Sequence, residues 1–221
     1  MRVGLFGGTY NPIHNGHLMV AEQVCRHFSL DRLYIIPCRL PPHKHPAFLA
    51  SASHRVRMIE RALPDDDRYR ISLVEVDRSG PSYTIDTVTH FNALMGKRAV
   101  LFLPLGMDAF LEIHTWKSHV RLLASIQPVI VTRHLKSNTG VEQDMPRLDR
   151  YIRSRLSDRY HFDAEGSSWR YSGGRPIHLL PVEPLAVSSS QIRQRTKHGK
   201  SISTLVPPAV QAYIEEKELY R

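Results

Sequence analysis

The first seventeen residues pass from an apolar run, Val3-Gly4-Leu5-Phe6, through Gly7-Gly8-Thr9-Tyr10-Asn11-Pro12-Ile13 into His14-Asn15-Gly16-His17. A short apolar run that breaks at glycines and opens into an amphipathic stretch predicts a buried strand, a tight turn and a helix. Glycines at such a turn let the backbone approach a phosphate closely, because no side chain stands in the way. The helix start that follows offers N–H groups without intrahelical partners and the positive end of the helix dipole. His14 and His17, three residues apart, are expected on one face of the first turn. Together these features describe a site for a phosphate chain that gains charge during reaction, which points to nucleotidyl transfer.

The rest of the chain extends this opening unit into a layered fold. Apolar runs at Val3–Phe6, Leu33–Pro37, Ile71–Val76, Val100–Leu103, Pro128–Thr132 and Ile177–Leu180 read as strands. Between the first two, Leu18, Ala21, Val24, Cys25 and Phe28 follow helical spacing. His54–Leu63, Thr84–Leu94 and Pro208–Leu219 read as helices as well, the last with Val210, Tyr213 and Ile214 on one face. Strands alternating with helices imply right-handed crossovers. The expected fold is therefore α/β, a Rossmann-like open parallel sheet with helices on both faces and a small C-terminal helical portion. We read residues 1–221 as a single domain, with a polar insertion at about 134–175 and a C-terminal helical part at about 188–221. Within the insertion a helix is expected around Leu148, Ile152 and Leu156, and the stretch from Gly166 to Gly174 reads as a loop. In open sheets of this kind ligands bind beyond the carboxyl ends of the strands, where Gly7–His17 lies.

Composition narrows the function. The chain of 221 residues carries a net charge of +9. Lys and Arg are scattered, with no run of five and no interleaved aromatics, so a phosphate-rich small substrate explains the charge better than nucleic acid does. No apolar run approaches the length of a membrane span. Two cysteines, Cys25 and Cys38, do not form a disulfide framework and suit a reducing cytoplasm.

Further constellations carry weaker signals. Ser188-Ser189-Ser190-Gln191-Ile192-Arg193 reads as a helix cap, or as hydroxyls and a guanidinium forming a second phosphate cradle. Gly106 would admit a flat base, and Asp108 would accept from a ribose hydroxyl or cap a helix. Trp116 reads first as core and second as a stacking surface. Gly80–Thr87 reads as a turn leading into a capped helix. Lys44, with His43 in a proline-rich loop, has a modest claim on substrate phosphate. Zinc binding by the two histidines lacks a carboxylate or cysteine to complete a ligand set, so no protein metal site is expected.

With these residues assembled, the chain closely resembles bacterial nicotinate-nucleotide adenylyltransferases, within the H-x-G-H nucleotidyltransferase superfamily. The resemblance rests on GGTYNPIHNGH at 7–17, PPHK at 41–44, GPSYTIDT at 80–87, GMD at 106–108, Trp116, SSSQIR at 188–193 and the closing helix. It implies transfer of the adenylyl group of ATP to nicotinate mononucleotide, with Mg²⁺, to give deamido-NAD and pyrophosphate. By that likeness Gly7, Gly8, Thr9, His14, His17, Gly106, Asp108, Ser189, Ser190 and Arg193 bind ATP, His14 and His17 being catalytic. Tyr10, Asn11, Lys44, Thr84, Trp116 and Lys117 bind the mononucleotide. Three departures stand out. Tyr10-Asn11 replaces the commoner Phe-Asp, Ser190 stands where threonine is usual, and the 134–175 stretch is long. Physics alone leaves open a nicotinamide-mononucleotide or phosphopantetheine acceptor, a basic nucleotide- or nucleic-acid-binding regulator, and a homo-oligomeric state.

Overall fold

The computed structural model describes residues 1–39, 49–96, 98–133, 138–183 and 185–221, the side chains of residues 133 and 138–143 excepted. Its strands are β1 (Arg2–Gly8), β2 (Arg32–Pro37), β3 (Tyr69–Ile71), β4 (Val100–Gly106), β5 (Gln127–Arg133), β6 (His161–Asp163), β7 (Ser168–Arg170) and β8 (Ile177–Val182). Its helices are α1 (Asn15–His27), α2 (Ala52–Ala62), α3 (Thr84–Met95), α4 (Met107–Phe110), α5 (His119–Ser125), α6 (Asn138–Tyr151), α7 (Ser189–Lys197) and α8 (Pro208–Glu216).

The strands form one sheet in the order β3-β2-β1-β4-β5-β8-β7-β6. All neighbours from β3 to β8 run parallel, and β7 and β6 close that edge antiparallel. The chain order reverses between β1 and β4, because β2 and β3 lie to one side of β1 and the later strands to the other. That reversal leaves a crevice at the carboxyl ends of β1 and β4, the usual ligand position in such sheets.

Strand residues alternate between two buried layers, as the period of two requires. Leu33, Ile35, Phe102 and Val129 pack with α1, α2, α7 and α8 residues such as Val24, Met58, Ile192 and Tyr213. Leu5, Leu103 and Ile130 pack on the other face with Val88, Phe91, Phe110, Leu148 and Trp169. Helices therefore cover both faces, as the alternation predicts. No helix among the described residues is long and apolar enough to cross a membrane.

Two expectations need correction. The third strand is Tyr69–Ile71 rather than Ile71–Val76. Its partner β2 ends at Pro37, which has no N–H to continue a ladder. Ser72 N–H still bonds Ile35 O, and the Asp77 N–H to Leu73 O bond then turns the chain away. The stretch from Gly166 to Gly174 is not all loop, since Ser168–Arg170 is β7, paired with β6 and β8. The helix expected around Leu148, Ile152 and Leu156 is present as α6 and the π-helical turn Ile152–Leu156.

Candidate active site

β1 delivers the chain to the crevice and α1 carries it away. His14 is the N-cap of α1 with extended backbone, φ −151° and ψ 169°, so it precedes the first turn. His17 lies in that turn, and the two rings nevertheless stack, with centroids 3.7 Å apart and planes inclined by 25°. His14 N–H donates to His17 Nδ1 at 3.3 Å. A neutral imidazole that accepts at Nδ1 carries its proton on Nε2, which leaves that nitrogen a donor. Gly16 is required between them, because a Cβ there would lie 2.9 Å from Val187 Cγ1 and 3.2 Å from His14 Nδ1. At Gly7 and Gly106, the ends of β1 and β4, an added Cβ would meet nothing within 4 Å. Both backbones thus face open space at the crevice, as close approach of a ligand requires.

The segment between β1 and α1 is fixed by a residue that sequence reasoning missed. Arg55, on α2, is fully buried. Its Nη1 donates to Thr9 O at 2.8 Å and Cys38 O at 2.7 Å, its Nη2 to Arg39 O at 3.1 Å, and its Nε to Ala50 O at 3.1 Å. No described carboxylate pairs with it. The signal was available, since Arg55 shares the apolar face of α2 with Met58, Ile59 and Ala62 at helical spacing.

Three residues expected at substrate also hold this segment. The Tyr10 ring is buried, its hydroxyl donates to Phe6 O at 2.7 Å, and its ring centroid lies 5.0 Å from that of His17. The Asn11 side chain is buried, and its Oδ1 accepts from Ala50 N–H and from the Tyr220 hydroxyl. The Ser189 hydroxyl donates to Pro12 O at 2.9 Å. These bonds use Asn11 Oδ1 and the Ser189 hydroxyl proton, and they tie both side chains to the loop.

A cleft of about 520 Å³ opens beside the loop, and Gly7, Gly8, Thr9, Thr84, Trp116 and Lys117 all line it. Thr84 begins α3, whose first turn therefore faces the cleft. One wall is a polar relay: the Thr87 hydroxyl donates to Glu75 Oε1 at 2.7 Å and accepts from Arg78 Nη2 at 2.9 Å. Lys117 Nζ sits 3.2 Å from Asp86 Oδ2 and 4.4 Å from the Tyr83 ring centre.

Ser190 and Arg193 line a second cleft, also about 520 Å³, together with Lys197, Tyr220 and Arg221. Arg193 reaches back to the loop, donating from Nη1 to Asn11 O at 2.9 Å, and from Nη2 to Ser190 Oγ at 3.2 Å. Gly106 and Asp108 line neither cleft and stand at the end of β4, next to β1. Lys44 lies outside the described residues. Among the described residues no three His, Cys, Asp or Glu side chains converge as metal ligands.

A cytidylyltransferase-like family model matches residues 5–195. The parallel sheet with its histidine pair at the strand-order reversal is thus that of a nucleotidyltransferase. The chain belongs, more narrowly, to the nicotinate-nucleotide adenylyltransferase family. It is 37% identical, over the full length of both chains, to a "Probable nicotinate-nucleotide adenylyltransferase" of Desulfatibacillum aliphaticivorans. It is 36% identical to a relative of the same name from a Thermoanaerobacter species, covering all of this chain and 95% of that one. Among solved structures, the Plasmodium falciparum nicotinic acid mononucleotide adenylyltransferase complexed with NaAD shares the fold, with a TM-score of 0.69 at 18% identity. That likeness covers 99% of this chain and 97% of the other.

Proposed function

We propose that this chain transfers the adenylyl group of ATP to nicotinate mononucleotide, forming deamido-NAD and releasing pyrophosphate. The observation that carries the reading is the stacked His14–His17 pair beside the open glycine backbones of β1 and β4. The mononucleotide phosphate oxygen attacks the α-phosphorus of ATP, and the bond from that phosphorus to the pyrophosphate oxygen breaks on the far side. No protein nucleophile is needed, so the chain contributes position and charge stabilisation.

His17, with its proton on Nε2, donates to the α-phosphate oxygens as their charge grows, and the stacked His14 sets its ring. Gly7, Gly8 and Thr9 supply backbone to the phosphates, Gly106 and Asp108 hold the adenosine, and Ser190 and Arg193 take the outer phosphates. The first cleft receives the mononucleotide, with Trp116 against the pyridine ring and Thr84 and Lys117 toward its carboxylate. The converging donors are cations, hydroxyls and N–H groups, which suit phosphate oxygens and not a metal cage. Mg²⁺ in this reading arrives bound to the triphosphate, where it neutralises phosphate charge. A single domain over residues 1–221 and a cytoplasmic setting belong to the same reading. The latter is supported by Cys25 and Cys38, both buried as thiols.

The test is pyrophosphate release from ATP and nicotinate mononucleotide, with His17→Ala as the control. Loss of one transition-state donor costs about 10²–10³ in kcat, and His17→Ala should lose that much with its melting temperature retained. A His17→Ala protein that keeps near-normal kcat removes the histidine from the chemistry.

A further inference from the structure

We infer that Tyr220, the penultimate residue, is a positioning residue for the adenylyl transfer proposed above, on which this inference rests. Its hydroxyl sets the loop that presents His14 and His17, and it acts through Asn11. The loop between β1 and α1 has no ladder of its own, so its polar groups must be held by partners from elsewhere. Asn11 sits three residues before His14 and next to Tyr10, whose ring rests against His17. Its side-chain oxygen accepts two hydrogen bonds, one from Ala50 N–H at 3.0 Å and one from Tyr220 O–H at 2.9 Å. A displaced Asn11 therefore carries Tyr10 on one side and His14 on the other.

The chain end is shaped to make this contact. After α8, Leu219 N–H bonds back to Ile214 O at 3.0 Å, and Leu219 packs against the core. Glu218 and Tyr220 have φ of 49° and 68°, left-handed values that non-glycine residues seldom adopt. Such conformations persist where surrounding contacts over-determine them. Here they turn the Tyr220 ring back to a residue 209 positions earlier. Burial raises the Tyr220 phenol well above its ordinary value, so the hydroxyl remains a hydrogen-bond donor through the neutral range. Tyr220 lies in the wall of the second cleft, which we assign to the outer phosphates of ATP, so an effect passed through the loop should lower kcat while the KM for ATP stays near wild type.

Tyr220→Phe keeps the ring and deletes only the donor. The expected result is a kcat lower by about tenfold, the size of one hydrogen bond, with the KM for nicotinate mononucleotide within about twofold of wild type. The melting temperature should stay within a few degrees, since the ring packing is retained. In an Asn11→Ala background the same substitution should change kcat no further, because the two residues act through one bond. Tyr220→Phe with wild-type kcat overturns the inference, and so does an equal, additive loss in both backgrounds. A wild-type protein that releases no pyrophosphate overturns the functional reading itself, a result distinct from either of these.

Discussion

The two ends of the sheet each pack a basic side chain against the core, and they treat its charge in opposite ways. At the carboxyl end, Arg55 is fully buried and surrounded by the carbonyls of Thr9, Cys38, Arg39 and Ala50. At the amino end, His178 lies between the rings of Phe28 and Phe102, at centroid distances of 5.0 and 6.0 Å. Arginine cannot shed its proton in a protein, so its burial demands acceptors, and the loops leaving β1 and β2 supply them. Histidine can shed its proton, and burial among rings, with Arg170, His27 and Arg2 nearby, pushes His178 down to about 4. The difference follows from what each end is made of. Strand ends that feed binding loops present carbonyls, and a permanent positive charge held beneath them favours a phosphate above.

Breaking the arginine end should have the larger effect. Arg55→Met leaves four carbonyls without their donor, and each buried orphan costs about 1–3 kcal/mol unless water enters. We expect a loss of about 3–5 kcal/mol in unfolding free energy, read from the urea midpoint, together with loss of turnover. Arg55→Lys keeps the charge but not the planar fork that reaches several acceptors at once, so it should recover little of the stability. A methionine variant within about 1 kcal/mol of wild type would mean that the loops hold themselves.

The histidine end is tested by acid. A base whose folded value lies below its unfolded value near 6.5 is neutral in the native state. Its contribution is therefore complete above pH 6.5 and is lost as pH falls toward 4. Allowing for the partial solvent access of His178, the loss is about 2 kcal/mol. In His178→Gln the difference in stability between pH 7 and pH 4.5 should shrink by that amount, the other titrations being common to both proteins. An unchanged pH slope would show that His178 can be protonated in place.

Legibility in the sequence follows the same division between local and distant causes. The Gly7–His17 unit was readable because strand, turn and helix start are adjacent in the chain and each has its own residue signature. The helical faces of α1 and α8 were readable by spacing. β6 and β7 were not, because a three-residue strand is too short to show a period. The burial of Trp169, with its Nε1–H on Asp149 Oδ1 at 3.0 Å, exists only once the sheet edge has formed. The part that Tyr10, Asn11 and Ser189 play in holding the loop was hidden for the same reason. Their residue types suit a ligand as well as a loop, and their loop partners, Phe6, Tyr220 and Pro12, come together only in the fold. Arg55 lay in plain view on an apolar stripe, but its four partners come from three separate segments.

The smallest effect on stability belongs to a third basic side chain, Lys117, which is half exposed. Its ammonium lies 3.2 Å from Asp86, itself partly exposed, and ion pairs of that kind contribute about 0–1 kcal/mol. Lys117→Ala should therefore leave the urea midpoint nearly unchanged. Its consequence should fall on binding, because Lys117 borders the cleft that we assign to the mononucleotide. A cation there favours a ring that carries a carboxylate over one that carries an amide. The KM for nicotinate mononucleotide should rise several-fold, and that for nicotinamide mononucleotide should stay flat. The gap between them should narrow as salt rises and the exposed charge is screened. Equal changes for the two mononucleotides would move the carboxylate selectivity away from Lys117 and onto the N–H groups that open α3.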